Sequence, residues 1–240
     1  MIDHYDWPGG REAMLRFGPA TGPVVIAAMP LFEEANRTRA FMVAILRGLA
    51  EHGIASALPD LPGTGESLRP TEQSSIRELR QAFEFVSETF SSQGRSVHGL
   101  GVRSGCLLDT LALLDSRWHL TPMDGADLLR DLSRIKQASQ REGGEHFDPL
   151  DSVGDKHDLP IEIAGNFISR QLLGELSGVS AFSSETNATL RTVRLDSDPK
   201  QADLKVTGTP LWRRAEPGND PALAMMLADD IATWVKSCAA

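Results

Sequence analysis

The sequence predicts a single α/β domain built around a mainly parallel sheet. Three observations predict it. Short apolar runs take turns along the chain with amphipathic helical stretches. The run at 24–29 is apolar throughout rather than every second residue, as expected of a strand buried on both faces. Three of the runs also end directly in a glycine- or proline-bearing turn, which is where open α/β sheets collect ligands. With 240 residues, 41% apolar and 24% charged, the chain can fill one sizeable core and carries no mark of disorder.

Taken in order, residues 14–17 form a short strand and 24–29 (VVIAAM) a strand buried on both faces. Between residues 38 and 52, Phe41, Met42, Ile45, Leu46 and Leu49 keep helical spacing, and Gly53 stands where a C-terminal cap belongs. Residues 54–58 are a second buried strand, leading into the turn DLPGTGES at 60–67. Ile76, Leu79, Phe83, Val86 and Phe90 mark one helical stripe. Residues 96–102 form a third strand, 105–116 a helix apolar nearly all round, and 117–121 a fourth strand. Residues 124–141 read as a helix followed by a polar stretch, and 122–160 as a cap excursion over the pocket within the single domain 1–240. A hairpin is expected around Ala164-Gly165-Asn166, a helix over 170–176, and strands over 190–195 and 204–207. Asp220-Pro221 opens a final helix that turns Leu223, Met226, Leu227, Ile231 and Trp234 inward.

Composition restricts function. There are 24 basic and 33 acidic residues, a net charge of −9, which argues against general affinity for nucleic acid or anionic lipid. The longest apolar run, 24–32, is broken by Pro30 and too short to span a bilayer. The opening MIDHYDWPGG lacks the pattern of a secretory leader, so a cytoplasmic location is expected. Cys106 and Cys238 have no metal-ligand spacing, and neither a metal nor a cofactor is expected. No Walker loop occurs. Gly99-Leu-Gly101-Val-Arg103-Ser104, with Asp124 downstream, is only a partial dinucleotide fingerprint, because it does not open the domain and its third glycine is Ser104.

Strand, D-x-x-G-x-G-x-S turn, helix, strand and G-x-x-x-G turn, in that order, resemble the α/β-hydrolase superfamily over most of the chain. The resemblance implies an α/β-hydrolase fold with a nucleophile elbow, G-x-S-x-G, at residues 101–105. Gly101 and Gly105 fit, but the middle residue is Arg103, whose guanidinium is always protonated and has no lone pair with which to attack a carbonyl. Ser104 is a poor substitute, since its flanks at the same spacing are Val102 and Cys106. The superfamily's base is a histidine after the last strand, yet His4, His52, His98, His119, His146 and His157 all precede that loop, which reads PLWRRAEP at 210–217. Asp196 and Asp198 match the place of the triad acid without an imidazole to orient.

LFEEANRTR, DLPGTGES, GVRSGCLL, PIEIAG and PLWRRAEPG together resemble the exosortase A system-associated hydrolases of the second-hydrolase type. That resemblance implies a bacterial setting of exosortase, PEP-CTERM protein sorting and exopolysaccharide production. With a degenerate triad, the expected protein is a pseudoenzyme or atypical hydrolase that binds an anionic acyl-, prenyl- or sugar-linked ligand. Its partners would be a second copy of itself or a component of the exopolysaccharide or exosortase system. The expected binding residues are Leu31, Phe32, Glu33, Glu34, Arg103, Ser104 and Arg213. Arg103 would hold an anion at a helix N-terminus or form a buried pair with Glu33 or Glu34, and the two roles are compatible. Of the two glutamates, one is expected to be solvated and one paired. The alternative is an active ester or thioester hydrolase in which Glu33 or Glu34 activates water and Arg103 holds the oxyanion. Trp212 either lines the pocket or packs; Trp118 packs within its strand, and Arg214 and Glu216 lie near the mouth. His98 is expected to be a satisfied core histidine and Cys106 an inert buried thiol.

Overall fold

Six parallel strands form the body of the sheet in the computed structural model, which describes residues 1–139, 159–183 and 189–238. The strands are β1 Ile2–Trp7, β2 Gly10–Phe17, β3 Val24–Ala28, β4 Ala55–Pro59, β5 Val97–Val102, β6 Ser116–Leu120, β7 Ile161–Ile163, β8 Asn166–Ile168, β9 Thr189–Leu195 and β10 Leu204–Val206. The main sheet runs β1-β2-β4-β3-β5-β6-β9-β10, with β1 and β2 antiparallel at one edge. The α-helices are α1 Glu33–Glu51, α2 Ile76–Ser92, α3 Gly125–Ser139, α4 Arg170–Leu176 and α5 Pro221–Cys238. The β1–β2 hairpin extends what the sequence shows only as a short strand, because IDHYDW mixes charged and aromatic residues on an edge strand that is only partly covered.

The central strands β3, β4, β5 and β6 are buried throughout because the sheet is covered on both sides, and the polar residues among them, such as His98, Arg117 and His119, are buried with the rest. Val24, Ile26 and Ala28 of β3 face a core completed by α2, α3 and α4, whereas Val25 and Ala27 face α1 and α5. Ser75 starts α2 with a capping box, its hydroxyl accepting from the Glu78 N–H while the Glu78 carboxylate accepts from the Ser75 N–H. Met226 departs from the expected inward stripe and is exposed. The buried face of α5 is Leu223, Ala224, Leu227, Ala228, Ile231 and Val235, and Met226 lies one helical step of 100° off that stripe.

The helix expected over 105–116 does not form. After β5 the chain makes a five-residue 3-10 helix, Arg103–Leu107, and then a series of turns in which Leu111 and Leu113 are exposed. Length supplies the reason. The linker must travel back along β5, a span of about 20 Å for six residues. Thirteen residues separate β5 from β6. Wholly helical, they would cover about 20 Å and leave nothing for the turns at either end. The turns are held from below, where Arg117 Nη2 donates to the carbonyls of Asp109 (3.0 Å) and Ala112 (2.7 Å). α3, β7, β8 and α4 lie between β6 and β9, and among the described residues β7 pairs with β8 alone, outside the main sheet. Residues 140–158, which hold the expected polar stretch together with His146 and His157, lie outside the described residues.

Candidate functional site

Parallel strands that end side by side leave a crevice above their carboxyl ends, and a strained turn lies there. Arg103 follows β5 with φ +55°, a left-handed conformation that costs a non-glycine residue of order 1–3 kcal/mol. Its neighbours make the bend achievable. A Cβ on Gly101 would lie 2.9 Å from the Cys106 Cα, and one on Gly105 would collide with the carbonyl oxygens of Ala28 and Met29. Only glycine fits either place. The short 3-10 turn that follows has no long helix dipole, so the expected helix-terminus contribution to anion binding is absent at Arg103.

The guanidinium is held on three sides. Nε and Nη2 of Arg103 donate to the two carboxylate oxygens of Glu34 at 3.1 and 3.0 Å, Asp131 Oδ2 of α3 lies 3.6 Å from Nη2, and the Trp212 ring stacks 5.0 Å from the guanidinium carbon. Glu33 points elsewhere and pairs with Arg37 one turn on, while Arg37 Nη1 donates to the Trp212 carbonyl at 3.0 Å. Both glutamates are therefore paired, which corrects the expectation that one of them is solvated. Their separate directions follow from the 100° step between adjacent helical residues. Ser104 is fully buried, and its Oγ accepts from the Leu31 N–H at 2.8 Å. Phe32, with φ +60°, begins α1 without a capping side chain.

Two cavities flank this arrangement. One of about 320 Å³ lies beside Leu31 and Phe32 over the 60–66 turn, where the Asp60 carboxylate takes an ion pair from Arg39 at 3.0 Å and an N–H from Glu66. The other, of about 310 Å³, is bounded by Arg103, Trp212, the ends of β6 and β9, and α3. Six cationic side chains (Arg103, Arg130, Arg134, Arg194, Lys200 and Arg213) line it against three carboxylates (Asp127, Asp131 and Asp198). Leu31 and Phe32 thus line the first cavity, Arg103 and Arg213 the second; neither cavity is lined by Glu33, Glu34 or Ser104. Asp198 ion-pairs with Arg194 at 2.6 Å; burial would raise its pKa, but the Lys200 N–H and Arg194 outweigh that and hold it below the usual carboxylate range. Asp196 instead accepts from Thr207 Oγ1 at 2.6 Å.

No family model and no curated protein matches the chain. Solved structures do. Est1E from Butyrivibrio proteoclasticus superposes with a TM-score of 0.65 at 14% identity, over 98% of this chain and 99% of that one. The α/β hydrolase GrgF from Penicillium sp. sh18 gives 0.62 at 14% identity, over 99% and 98%. The bottromycin epimerase BotH gives 0.56 at 12% identity, over 98% and 99%. This chain has the α/β-hydrolase fold. One of those neighbours is named as an epimerase, so the fold alone does not specify a reaction.

In a hydrolase-fold enzyme the crest of the elbow carries the nucleophile, and one oxyanion donor comes from the loop after β3. Here the crest carries a paired cation, and the Leu31 N–H of that loop is already taken by Ser104. Among the described residues no histidine lines either cavity. His98 Nδ1 meets Ser116 Oγ at 2.8 Å in the core, and His119 Nε2 meets Asp109 Oδ2 at 2.7 Å. Cys106 borders His119, so a thiol, an imidazole and a carboxylate do come together in this hydrolase fold, but all three are sealed beneath the elbow and line neither cavity. Burial pushes the Cys106 thiol up; burial alone would lower His119, but the Asp109 carboxylate 2.7 Å away holds it above the ordinary imidazole value. Trp118 packs in the core and donates to Asp230 at 2.8 Å, and Arg214 and Glu216 are exposed. Asp124 accepts from the Ala181 N–H, and Gly99 and Gly101 lie within β5, which leaves the dinucleotide fingerprint without its phosphate turn.

Sequence reasoning missed Thr121, Arg130, Arg134, Arg194 and Lys200. A signal did exist for two of them: Arg130 and Arg134 are four apart on one helix face, each close to an acidic residue in DLLRDLSR. Nothing local in the sequence brings them to Arg194 and Arg213, because that juxtaposition depends on α3 and the end of β9 meeting at one cavity.

Proposed function

We propose that this chain is a non-catalytic α/β-hydrolase-fold protein that binds an anionic ligand in the cavity beside Arg103. The ligand is acyl-, prenyl- or sugar-linked, and the setting is the exosortase and exopolysaccharide system that the motif resemblance implies. The carrying observation is the cation clamped on the elbow crest at φ +55° by Glu34 and Trp212. A guanidinium there offers no nucleophile but can exchange a carboxylate partner for a ligand oxyanion. The segment bearing α3 acts as a cap, since Asp131 and Arg134 form part of the cavity wall.

The competing reading, water activated by Glu33 or Glu34, meets the ion pairs already described: each carboxylate is engaged by a guanidinium, and neither lines a cavity from which it could reach a substrate water. Incubation with short p-nitrophenyl esters and a fluorophosphonate probe tests the proposal. No turnover above buffer and no adduct are expected. Turnover lost in Glu33→Gln or Arg103→Ala, or an adduct on Ser104, would refute it.

A further inference from the structure

We infer that the group bound in the Arg103 cavity is a phosphoryl group rather than a carboxylate, an inference that rests on the anion-binding reading above. Three features of the cavity support it. The first is charge. Six cations face three carboxylates, and even with Glu34 neutralising Arg103 from outside the cavity, a monoanion leaves positive charge uncompensated where a dianion would not. Arg213 makes no ion pair among the described residues and stands on the same wall as Trp212.

The second feature is an unsatisfied donor set. Thr121 is 5% exposed and, among the described residues, its Oγ1 has no hydrogen-bond partner; Arg194 is 8% exposed and its Nε likewise has none among them. Buried polar groups are nearly always satisfied, and these two are the orphans whose residues line this cavity; an acceptor oxygen that displaced the wall atoms now covering them would satisfy both. The remaining Arg194 nitrogens are occupied, Nη1 by Asp198 at 2.6 Å and Nη2 by the Pro122 carbonyl at 3.2 Å, which anchors the side chain and leaves Nε. Thr121 also has φ +47°, a strained backbone for a β-branched residue, held by its N–H donating to the Val193 carbonyl at 2.8 Å.

The third feature is the distribution of donors. Thr121 directly follows β6, Arg194 lies on β9, and Arg213 comes from the loop before α5. A carboxylate presents two oxygens in one plane, whereas a phosphoryl group presents three or four around a tetrahedron and can accept from separate segments at once. Inorganic phosphate and a phosphomonoester share this chemistry.

Titration calorimetry of the full chain in low salt with inorganic phosphate, hexyl phosphate and hexanoate separates the cases. Hexyl phosphate is expected to bind at least about tenfold more tightly than hexanoate, the difference of one charge-assisted hydrogen bond or more. Its affinity should fall below a pH of about 6, where the second phosphate charge is lost. Arg213→Ala, at an exposed position that cannot unfold the chain, should weaken hexyl phosphate about tenfold, and Thr121→Val should weaken it severalfold. If inorganic phosphate matches hexyl phosphate, the site takes the free ion; if the ester wins, it takes an organic phosphate, and either result supports the inference. Hexanoate binding as tightly as hexyl phosphate, with both weakened by Arg213→Ala, would overturn the phosphoryl inference and leave the anion-binding reading standing. Absence of binding by all three, or binding indifferent to Arg213→Ala, would overturn both.

Discussion

Replacing Glu34 by Gln removes the charge that clamps Arg103 and changes little else in shape. The guanidinium is only 10% exposed and Glu34 19%, so solvent screens the pair weakly. Two unit charges about 4 Å apart at an effective dielectric of about 20 attract by about 4 kcal/mol. Part of that survives the substitution. The Gln Oε1 still accepts one hydrogen bond, and Asp131, 3.6 Å from Nη2 but 41% exposed, takes over about half of the neutralisation. The net loss is about 2 kcal/mol, below the 3–5 kcal/mol found when a fully buried ion loses its only partner. For a domain of this size that corresponds to a fall in Tm of about 4–8 °C. The assay is urea unfolding of wild type, Glu34→Gln, Arg103→Met and the double variant, analysed as a cycle. A coupling energy near 2 kcal/mol is expected. A coupling within about 0.5 kcal/mol of zero would show that the Arg103–Glu34 bonds do not hold the crest, and the argument from a clamped cation would fail.

Gly105→Ala should be far more damaging than an ordinary Gly-to-Ala change, because its Cβ would collide with the Ala28 and Met29 carbonyls; a loss of about 3 kcal/mol or more in urea unfolding is expected. His119 has its pKa raised in the folded state by Asp109, so its contribution to stability is fully present below the unfolded value of about 6.5 and is lost as pH rises through the folded value above it. Urea midpoints should therefore decline over that window, and His119→Gln should flatten the decline. Iodoacetamide should label Cys238 in the native protein and leave Cys106 unlabelled until the chain is unfolded, as mass spectrometry of the peptides would show. On α5, Leu227→Ala should cost about 2–5 kcal/mol, whereas Met226→Lys, on the exposed side, should stay within about 0.5 kcal/mol.

The central strands could be read from the sequence because each is a short run that stops at a glycine or proline turn; their order in the sheet and the edge strand β1 could not. The elbow could be read because glycines at 101 and 105 are required sterically, whichever side chain stands between them. The 105–116 segment could not. GCLLDTLALLDS has helical composition, but the distance back along β5 and the hold of Arg117 on the Asp109 and Ala112 carbonyls override local preference. The partner of Arg103 was also undecided, since Glu33 and Glu34 are chemically equivalent. Only the helical step, together with Arg37 one turn further on, assigns Glu33 to Arg37 and leaves Glu34 for Arg103.

The placement of Arg103 has a physical consequence for what this turn can do. A strained crest is useful because it presents one side chain above the ends of the strands with little freedom to retreat. With serine there, the turn needs a base to make it reactive. With arginine there, the side chain is charged at every physiological pH and needs an anion instead. Glu34 supplies that anion from within the fold, but it reaches only two of the guanidinium nitrogens, Nε and Nη2. Asp131, the second carboxylate near Nη2, comes from α3, which also carries Arg130 and Arg134 to the same cavity. A ligand oxyanion entering there would compete with Asp131 for Arg103 and be met by the arginines beside it. Ligand binding and the seating of α3 should therefore be energetically linked, and Asp131→Asn should tighten anion binding while loosening α3 against hydrogen exchange.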